Sequence, residues 1–141
     1  MLTANAASPN YWFLTAALLA VATLIIHLAF GSPEVMGPLY TSSAPKMTIA
    51  ITDVIWQQVS VLIAVAAAAF VVAAFRPAWQ RPVAVMMGGQ FALVTVLFLI
   101  YGALWYQSPW PMPQWILFGV MAILAFIGMG RRTRPAVAPE L

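Results

Sequence analysis

Long runs of apolar residues alternate with short polar or proline-containing breaks along this chain of 141 residues. Four runs can be drawn, at residues 11–30, 49–75, 83–106 and 114–130. Crossing the hydrocarbon of a bilayer takes roughly 20 helical residues, so the first three runs are long enough and the fourth is slightly short. Because an open sheet cannot satisfy its backbone hydrogen bonds in lipid, each run is predicted to be a helix.

The breaks between the runs agree with this division. Gly31 and Pro33 follow the first run, and Pro77 and Pro82 lie between the second and the third. Both residue types commonly end helices or lie just outside them. Tyrosine and tryptophan gather near the predicted helix ends, as they do in the interfacial belts of membrane proteins. These aromatic residues are Tyr11, Trp12, Trp79, Trp105, Tyr106, Trp110 and Trp115.

The pattern predicts an all-α integral membrane protein, a single domain over residues 1–141 folded as an antiparallel bundle of four transmembrane helices. Residues 131–141 are expected to form a short C-terminal tail without a fold of its own. Small residues that allow close helix approach are frequent, although alanine is also simply a good helix former. They include Ala16, Ala17 and Ala20, Ala64 and Ala66 to Ala69, and Gly88, Gly89 and Ala92.

The basic residues predict the orientation in the membrane. All five arginines lie between the second and third runs or after the fourth, whereas the one lysine, Lys46, lies between the first and second. Since arginine and lysine collect on the cytoplasmic side, both termini are predicted to be cytoplasmic. The segments 32–47 and 107–113 are then expected to be loops that face outward.

Composition excludes several classes of function. Hydrophobic residues make up 64% of the chain and charged residues 6%, far from the composition of a soluble domain. There is no cysteine, which excludes disulfides, thiolate metal sites and a cysteine nucleophile. The net charge of +3 comes from few residues beside apolar runs, so no nucleic-acid partner is expected. With no phosphate-binding loop and no nucleophile elbow, we expect neither an enzyme nor a catalytic residue.

Polar residues in membrane spans are the default candidates for a functional site. At about 1.5 Å per helical residue, His27, Asp53, Gln57 and Tyr101 reach a similar level near the predicted outer surface, with Trp56 beside them. One interpretation is a vestibule that binds a cation, a polar head group or a proton at a His27–Asp53 pair. The other is that these groups are wetted at the interface and tie the second helix to the first.

A metal ion or cofactor is not expected. The chain has one histidine, His27, which excludes bis-histidine haem ligation within one chain. Asp53 and Glu34 are the remaining acidic candidates near it, and none of the three has a recognised ligand spacing to another.

The stretch His27-Leu-Ala-Phe-Gly31, followed by Pro38-Leu39 and by Trp56-Gln57, resembles a set of small four-helix proteins of the bacterial inner membrane. The resemblance covers about a quarter of the chain and implies four spans and that location, with no established activity. Those proteins carry a Trp-His dipeptide where Gln57 stands here. If that second histidine binds a metal or haem in them, this chain lacks the ability, while Gln57 can still hydrogen-bond to His27.

The preferred functional prediction is a non-enzymatic accessory or scaffold subunit of a larger membrane complex or of a homo-oligomer. Its partners would be the lipid bilayer and other membrane subunits or copies of itself. The alternative is a small transporter, or a lipid- or quinone-binding protein, that uses the outward polar cluster. Transport would be favoured by inverted repeats, and no convincing similarity relates the two pairs of runs.

Overall fold

The computed structural model describes residues 8–130, and all regular structure in this range is helical. Residues 8–130 form four helices: α1 (Tyr11–Tyr40), α2 (Lys46–Phe75), α3 (Pro77–Tyr106) and α4 (Gln114–Gly130). The first three have 30 residues each and are long and apolar enough to cross a membrane, and α4 is a shorter apolar helix. The prediction of an all-α fold with four apolar helices is therefore confirmed for this range, while the predicted tail, 131–141, lies outside the described residues.

Helix α1 extends well beyond its predicted end, so the first part of the predicted loop 32–47 is helical as far as Tyr40. The extended helix includes a π-turn at His27–Gly31. In this turn the N–H of Ser32 donates to the carbonyl of His27, five residues earlier. Pro33 then falls in the first turn of the following α-helical segment, where a missing N–H is tolerated. The proline thus continues the helix, contrary to the prediction.

Helices α2 and α3 start earlier than predicted, at Lys46 and Pro77. A single extended residue separates them, Arg76, with φ −125° and ψ 96°. The residue before a proline is disfavoured in the helical region, which explains the break, and a proline suits the first position of a helix. Pro82 lies inside α3 and is followed by a second π-turn, Ala84–Gly88.

The helices form two antiparallel hairpins, α1 with α2 and α3 with α4, and the hairpins meet where α1 packs on α4. We call the end at which α2 joins α3 the Arg76 end, and the opposite end, where α1 joins α2, the Lys46 end. Away from the Arg76 end, in Gly89–Tyr106, the main packing of α3 is on α4. In this part of the molecule, α2 and α3 are not a main packing pair.

A row of buried aromatic rings connects all four helices. Phe13 of α1 lies 6.1 Å from Phe70 of α2, measured between ring centroids, and Phe70 lies 6.1 Å from Phe91 of α3. Phe91 in turn lies 5.5 Å from Phe118 of α4. Three of these four side chains have no exposed surface, so this row forms the centre of the core.

Small residues close the seams between helices, as predicted for part of the set. Alanines of α1 and α2 are buried in the core, whereas Ala64 and Ala68 are exposed. The buried ones named above are Ala16, Ala17, Ala20, Ala66 and Ala67. At Gly88 of α3, a Cβ atom would lie 3.1 Å from the side chain of Ala125 in α4. The backbones of α3 and α4 therefore approach each other closely at this seam.

Contacts between helices also show which residues of α1 and α4 lie at the same level along the bundle axis. Gly128 of α4 packs against Phe13 of α1. Counting back along two antiparallel helices from this contact places Gln114, the start of α4, level with His27. At 1.5 Å per residue, α1 then projects about 20 Å beyond the start of α4. The predicted site lies at the base of this projecting hairpin.

Candidate functional site

His27 and Trp56 make the central contact between α1 and α2. Their rings are stacked, with centroids 4.1 Å apart and planes 18° from parallel. Nε2 of His27 lies 3.3 Å from the carbonyl oxygen of Trp56. Because a carbonyl can only accept, Nε2 is the nitrogen that carries hydrogen, and Nδ1 is the acceptor of the neutral ring.

Two further residues of α1, Ser32 and Gly31, contact the indole of Trp56. Its Nε1 donates to Oγ of Ser32 at 2.8 Å, and that hydroxyl donates to the carbonyl of His27 at 3.3 Å. A Cβ atom at Gly31 would lie 3.1 Å from Cζ2 of the indole, so the ring lies directly over the glycine. We call His27, Gly31, Ser32 and Trp56 the Trp56 cluster.

Asp53 lies about one helical turn before Trp56 on α2, nearer the Lys46 end. It does not contact His27. Its carboxylate interacts with the hydroxyl of Tyr40, at the end of α1. Its Oδ1 atom is buried without a hydrogen-bond partner in the described part of the chain. The His27–Asp53 pair of the vestibule interpretation is therefore not formed among residues 8–130, since the hydrogen bond of His27 goes to Trp56.

Gln57 and Tyr101 lie apart from His27 as well. The side chain of Gln57 is exposed, and its Oε1 atom lies 3.5 Å from Oγ of Ser60 on the same helix. The predicted link from Gln57 to His27 is thus made by Trp56 instead. Tyr101 is half exposed on the part of α3 that packs mainly on α4, so it does not join the others.

The Trp56 cluster is a link between α1 and α2. Within residues 8–130, no group of three histidine, cysteine, aspartate or glutamate side chains is placed to hold a metal ion. The Trp56 cluster joins α1 to α2 through one ring stack and hydrogen bonds among its own members. Its chemistry is that of a structural contact at the base of the projecting hairpin.

Ser32 and Tyr40 are absent from the predicted site, because the hydropathy pattern assigns both to a loop. For Ser32 the sequence does hold a signal, since it follows His27 by five residues, the interval of a π-turn. For Gly31 a signal was present, since the resemblance rests on His27, Gly31 and Trp56, and these three residues meet in the structure.

No protein family, curated protein or solved structure matches this chain. The resemblance to small four-helix proteins of the bacterial inner membrane therefore stays a prediction. The function has to be argued from the site and the surfaces of this molecule.

Proposed function

We propose that the protein is a non-enzymatic, multi-pass protein of the bacterial inner membrane that serves as an accessory or scaffold subunit. Its partners are the other subunits of a larger membrane complex or further copies of itself. The observation that carries the proposal is the poor burial of α3. In its α-helical part, Gly89–Tyr106, the buried residues are Phe91 and Gly102.

Membrane helices associate through van der Waals packing and interhelical hydrogen bonds, so a helix packed along one face has capacity for another neighbour. The α1–α2 hairpin contrasts with this part of α3, because the last 18 residues of α2 bury seven side chains against two in the 18 residues Gly89–Tyr106, and the Trp56 cluster adds polar contacts. Among the predicted site residues, His27 and Trp56 are engaged in that hairpin contact. Because these two side chains join α1 to α2, they support a structural role for the site.

The distribution of charge supports cytoplasmic termini. Arg76 and Arg81 are exposed at the Arg76 end, whereas Lys46 and the two acids Glu34 and Asp53 lie towards the opposite end. By the rule that arginine and lysine collect in the cytoplasm, the Arg76 end faces inward. Four spans then place both termini on that side.

The test is the mass of the complete protein as it leaves the membrane. The full chain is extracted in mild detergent, its native mass is measured against the 15.3 kDa of one chain, and co-purifying proteins are identified. We expect a multimer or a stoichiometric partner. Formaldehyde treatment of intact membranes before extraction controls for complexes that detergent dissociates. A monomer without any partner under both conditions contradicts the proposal.

A second candidate function is a small transporter, or a lipid- or quinone-binding protein, and one observation favours it. The buried and unpartnered Oδ1 of Asp53 offers an acceptor beside the hydroxyl of Tyr40. A short-chain ubiquinone and phosphatidylglycerol are suitable probes, with binding followed by tryptophan fluorescence. Binding should fall in Asp53→Asn and His27→Ala but persist in the control Glu34→Gln. Unchanged binding and flux in the first two variants would exclude this candidate.

A further inference from the structure

Gln90 is a polar residue in an apolar setting, in the middle of α3. Its side chain is exposed, and it has no hydrogen-bond partner among residues 8–130. At 1.5 Å per residue it lies about 20 Å from Pro77 and about 24 Å from Tyr106. In a helix that crosses a bilayer, this position is deep in the hydrocarbon, where lipid offers an amide no hydrogen bonds. The partner of this amide must therefore come from outside residues 8–130.

Gln90 belongs to a continuous exposed face of α3. Four apolar residues follow it at alternating spacings of three and four, and all are exposed, with Leu93 at 65% and Leu104 at 72%. We call this set the Gln90 face: Gln90, Leu93, Leu97, Ile100 and Leu104. An apolar seam with a period of 3.5 residues is the pattern by which two helices pack knobs into holes.

The Gln90 face is directed away from the bundle. The opposite face of α3 carries the contacts with α4, through Gly88 against Ala125 and through Thr95 against Gly119. Phe91 also lies on that opposite face, 5.5 Å from Phe118. At 3.6 residues per turn, the two faces are rotated by about 170° from each other around the axis of α3. No rearrangement of α4 is needed to cover the Gln90 face.

We propose that the Gln90 face is a dimer interface, at which α3 packs against α3 of a second copy of this chain and the two Gln90 amides hydrogen-bond to each other. The inference rests on the proposed accessory or scaffold function and names its partner.

A second copy fits because the amide of glutamine is complementary to itself. Its nitrogen donates and its oxygen accepts, so two Gln90 side chains related by a two-fold axis satisfy each other. Copies inserted with the same topology have parallel α3 helices, and a two-fold axis along the membrane normal places each residue of the face near its own copy. One polar residue in an otherwise apolar seam is also the device that fixes register in parallel coiled coils. The face has no charged residue that would oppose this pairing.

Gln90→Leu is the first test, made in the full chain and followed by sedimentation equilibrium in mild detergent. Loss of the amide pair should weaken the dimerisation constant by about tenfold. Gln90→Asn keeps an amide and should retain most of the association. The matched control is Gln58→Leu, since Gln58 is an exposed glutamine on α2, away from the Gln90 face.

Disulfide formation in native membranes is the second test and avoids detergent. The chain has no cysteine, so single-cysteine variants need no further background change. We expect Leu97→Cys to crosslink two copies. Val96→Cys is exposed on the same helix but lies off the Gln90 face, and Leu18→Cys is exposed on α1, so both should remain uncrosslinked. Adding Gln90→Leu to Leu97→Cys should reduce the crosslinked fraction.

A dimerisation constant unchanged by Gln90→Leu, or a Val96→Cys variant that crosslinks as well as Leu97→Cys, overturns the proposal. The result also separates it from the proposed function. If the chain does not self-associate but a different protein co-purifies with it, the accessory function stands and the Gln90 dimer is wrong. If the chain is a monomer without any partner, both fail.

Discussion

Trp56 contacts three neighbouring groups of α1 at once. Its ring stacks on His27 and covers Gly31, and its N–H binds the hydroxyl of Ser32. The π-turn makes this possible, because it places these three groups on the side of α1 that faces α2. A single side chain of α2 thus contacts α1 through three groups at the base of its projecting part.

Trp56→Phe keeps an aromatic ring in this place but removes the N–H. A double-mutant cycle with Ser32→Ala should show a coupling energy of about 0.6 kcal/mol, the average for interhelical hydrogen bonds in membranes. The free energy of unfolding, measured by titration with SDS in mixed micelles, reports it. Trp79→Phe in the same cycle is the control and should give no coupling with Ser32→Ala. Additive effects of Trp56→Phe and Ser32→Ala would show that the bond contributes nothing.

Gly31→Ala should destabilise the fold by about 1–3 kcal/mol, the usual effect of overpacking. The new Cβ would lie 3.1 Å from Cζ2 of the indole, which its stack and hydrogen bond hold in place. Gly37→Ala is the matched control on the same helix, because a Cβ there meets nothing within 4 Å. The control should be neutral or slightly stabilising in thermal unfolding, and equal melting temperatures for the two variants would refute the argument.

The sequence predicts how far along its helix each candidate-site residue lies, but not which side chains it contacts. Residue counts along helices give depth, and they correctly brought His27 and Trp56 together. They do not give the rotation of a helix or the identity of its neighbour. Asp53 therefore turned out to face Tyr40, and Tyr101 lies on a helix that packs mainly on α4.

At the scale of the helices, hydropathy predicted where the apolar surface lies and missed where the helices end. A helix of 30 residues is about 45 Å long, whereas the hydrocarbon of a bilayer is about 30 Å thick. If α1 and α2 cross a bilayer, their remaining length stands in head groups or water, where a helix needs no continuous apolar surface. The prediction that the prolines lie outside the helices was also wrong at Pro33 and Pro77. Both lie in the first turn of a helical segment, where proline is tolerated.

The seam between α1 and α4 depends on the absence of a side chain at Gly128. A Cβ there would lie 2.9 Å from the ring of Phe13 and 3.2 Å from Cβ of Trp12, and Phe13 is itself packed on Phe70. Gly128→Ala should therefore push the two hairpins apart and cost about 1–3 kcal/mol of unfolding free energy.

The matched control for this seam is Gly130→Ala, two residues further along α4, because a Cβ at Gly130 meets nothing within 4 Å. Chemical denaturation in the same detergent compares the two variants. Should Gly128→Ala unfold at the same denaturant concentration as Gly130→Ala, the close contact of the hairpins is not what stabilises this seam.

For the whole molecule, the testable property is its orientation across the bilayer. Lys46→Cys and Arg76→Cys introduce thiols at the two ends of α2 in a chain without cysteine. A membrane-impermeant maleimide applied to sealed, right-side-out vesicles should label the first thiol and reach the second only after permeabilisation. This result follows if α2 crosses and the arginines face the cytoplasm. Labelling of both from one side would show that α2 does not span the membrane.

In a bilayer, the unequal lengths of the helices would also affect the surrounding lipid. Helix α4 has 17 residues and an apolar height of about 25 Å, whereas its neighbours exceed the thickness of an average bilayer. This hydrophobic mismatch has two remedies, local thinning of the leaflets beside α4 or a tilt of the whole bundle. Thinning beside α4 would give the protein a thin flank and a thick flank, and lipids with short acyl chains are then expected to gather along α4.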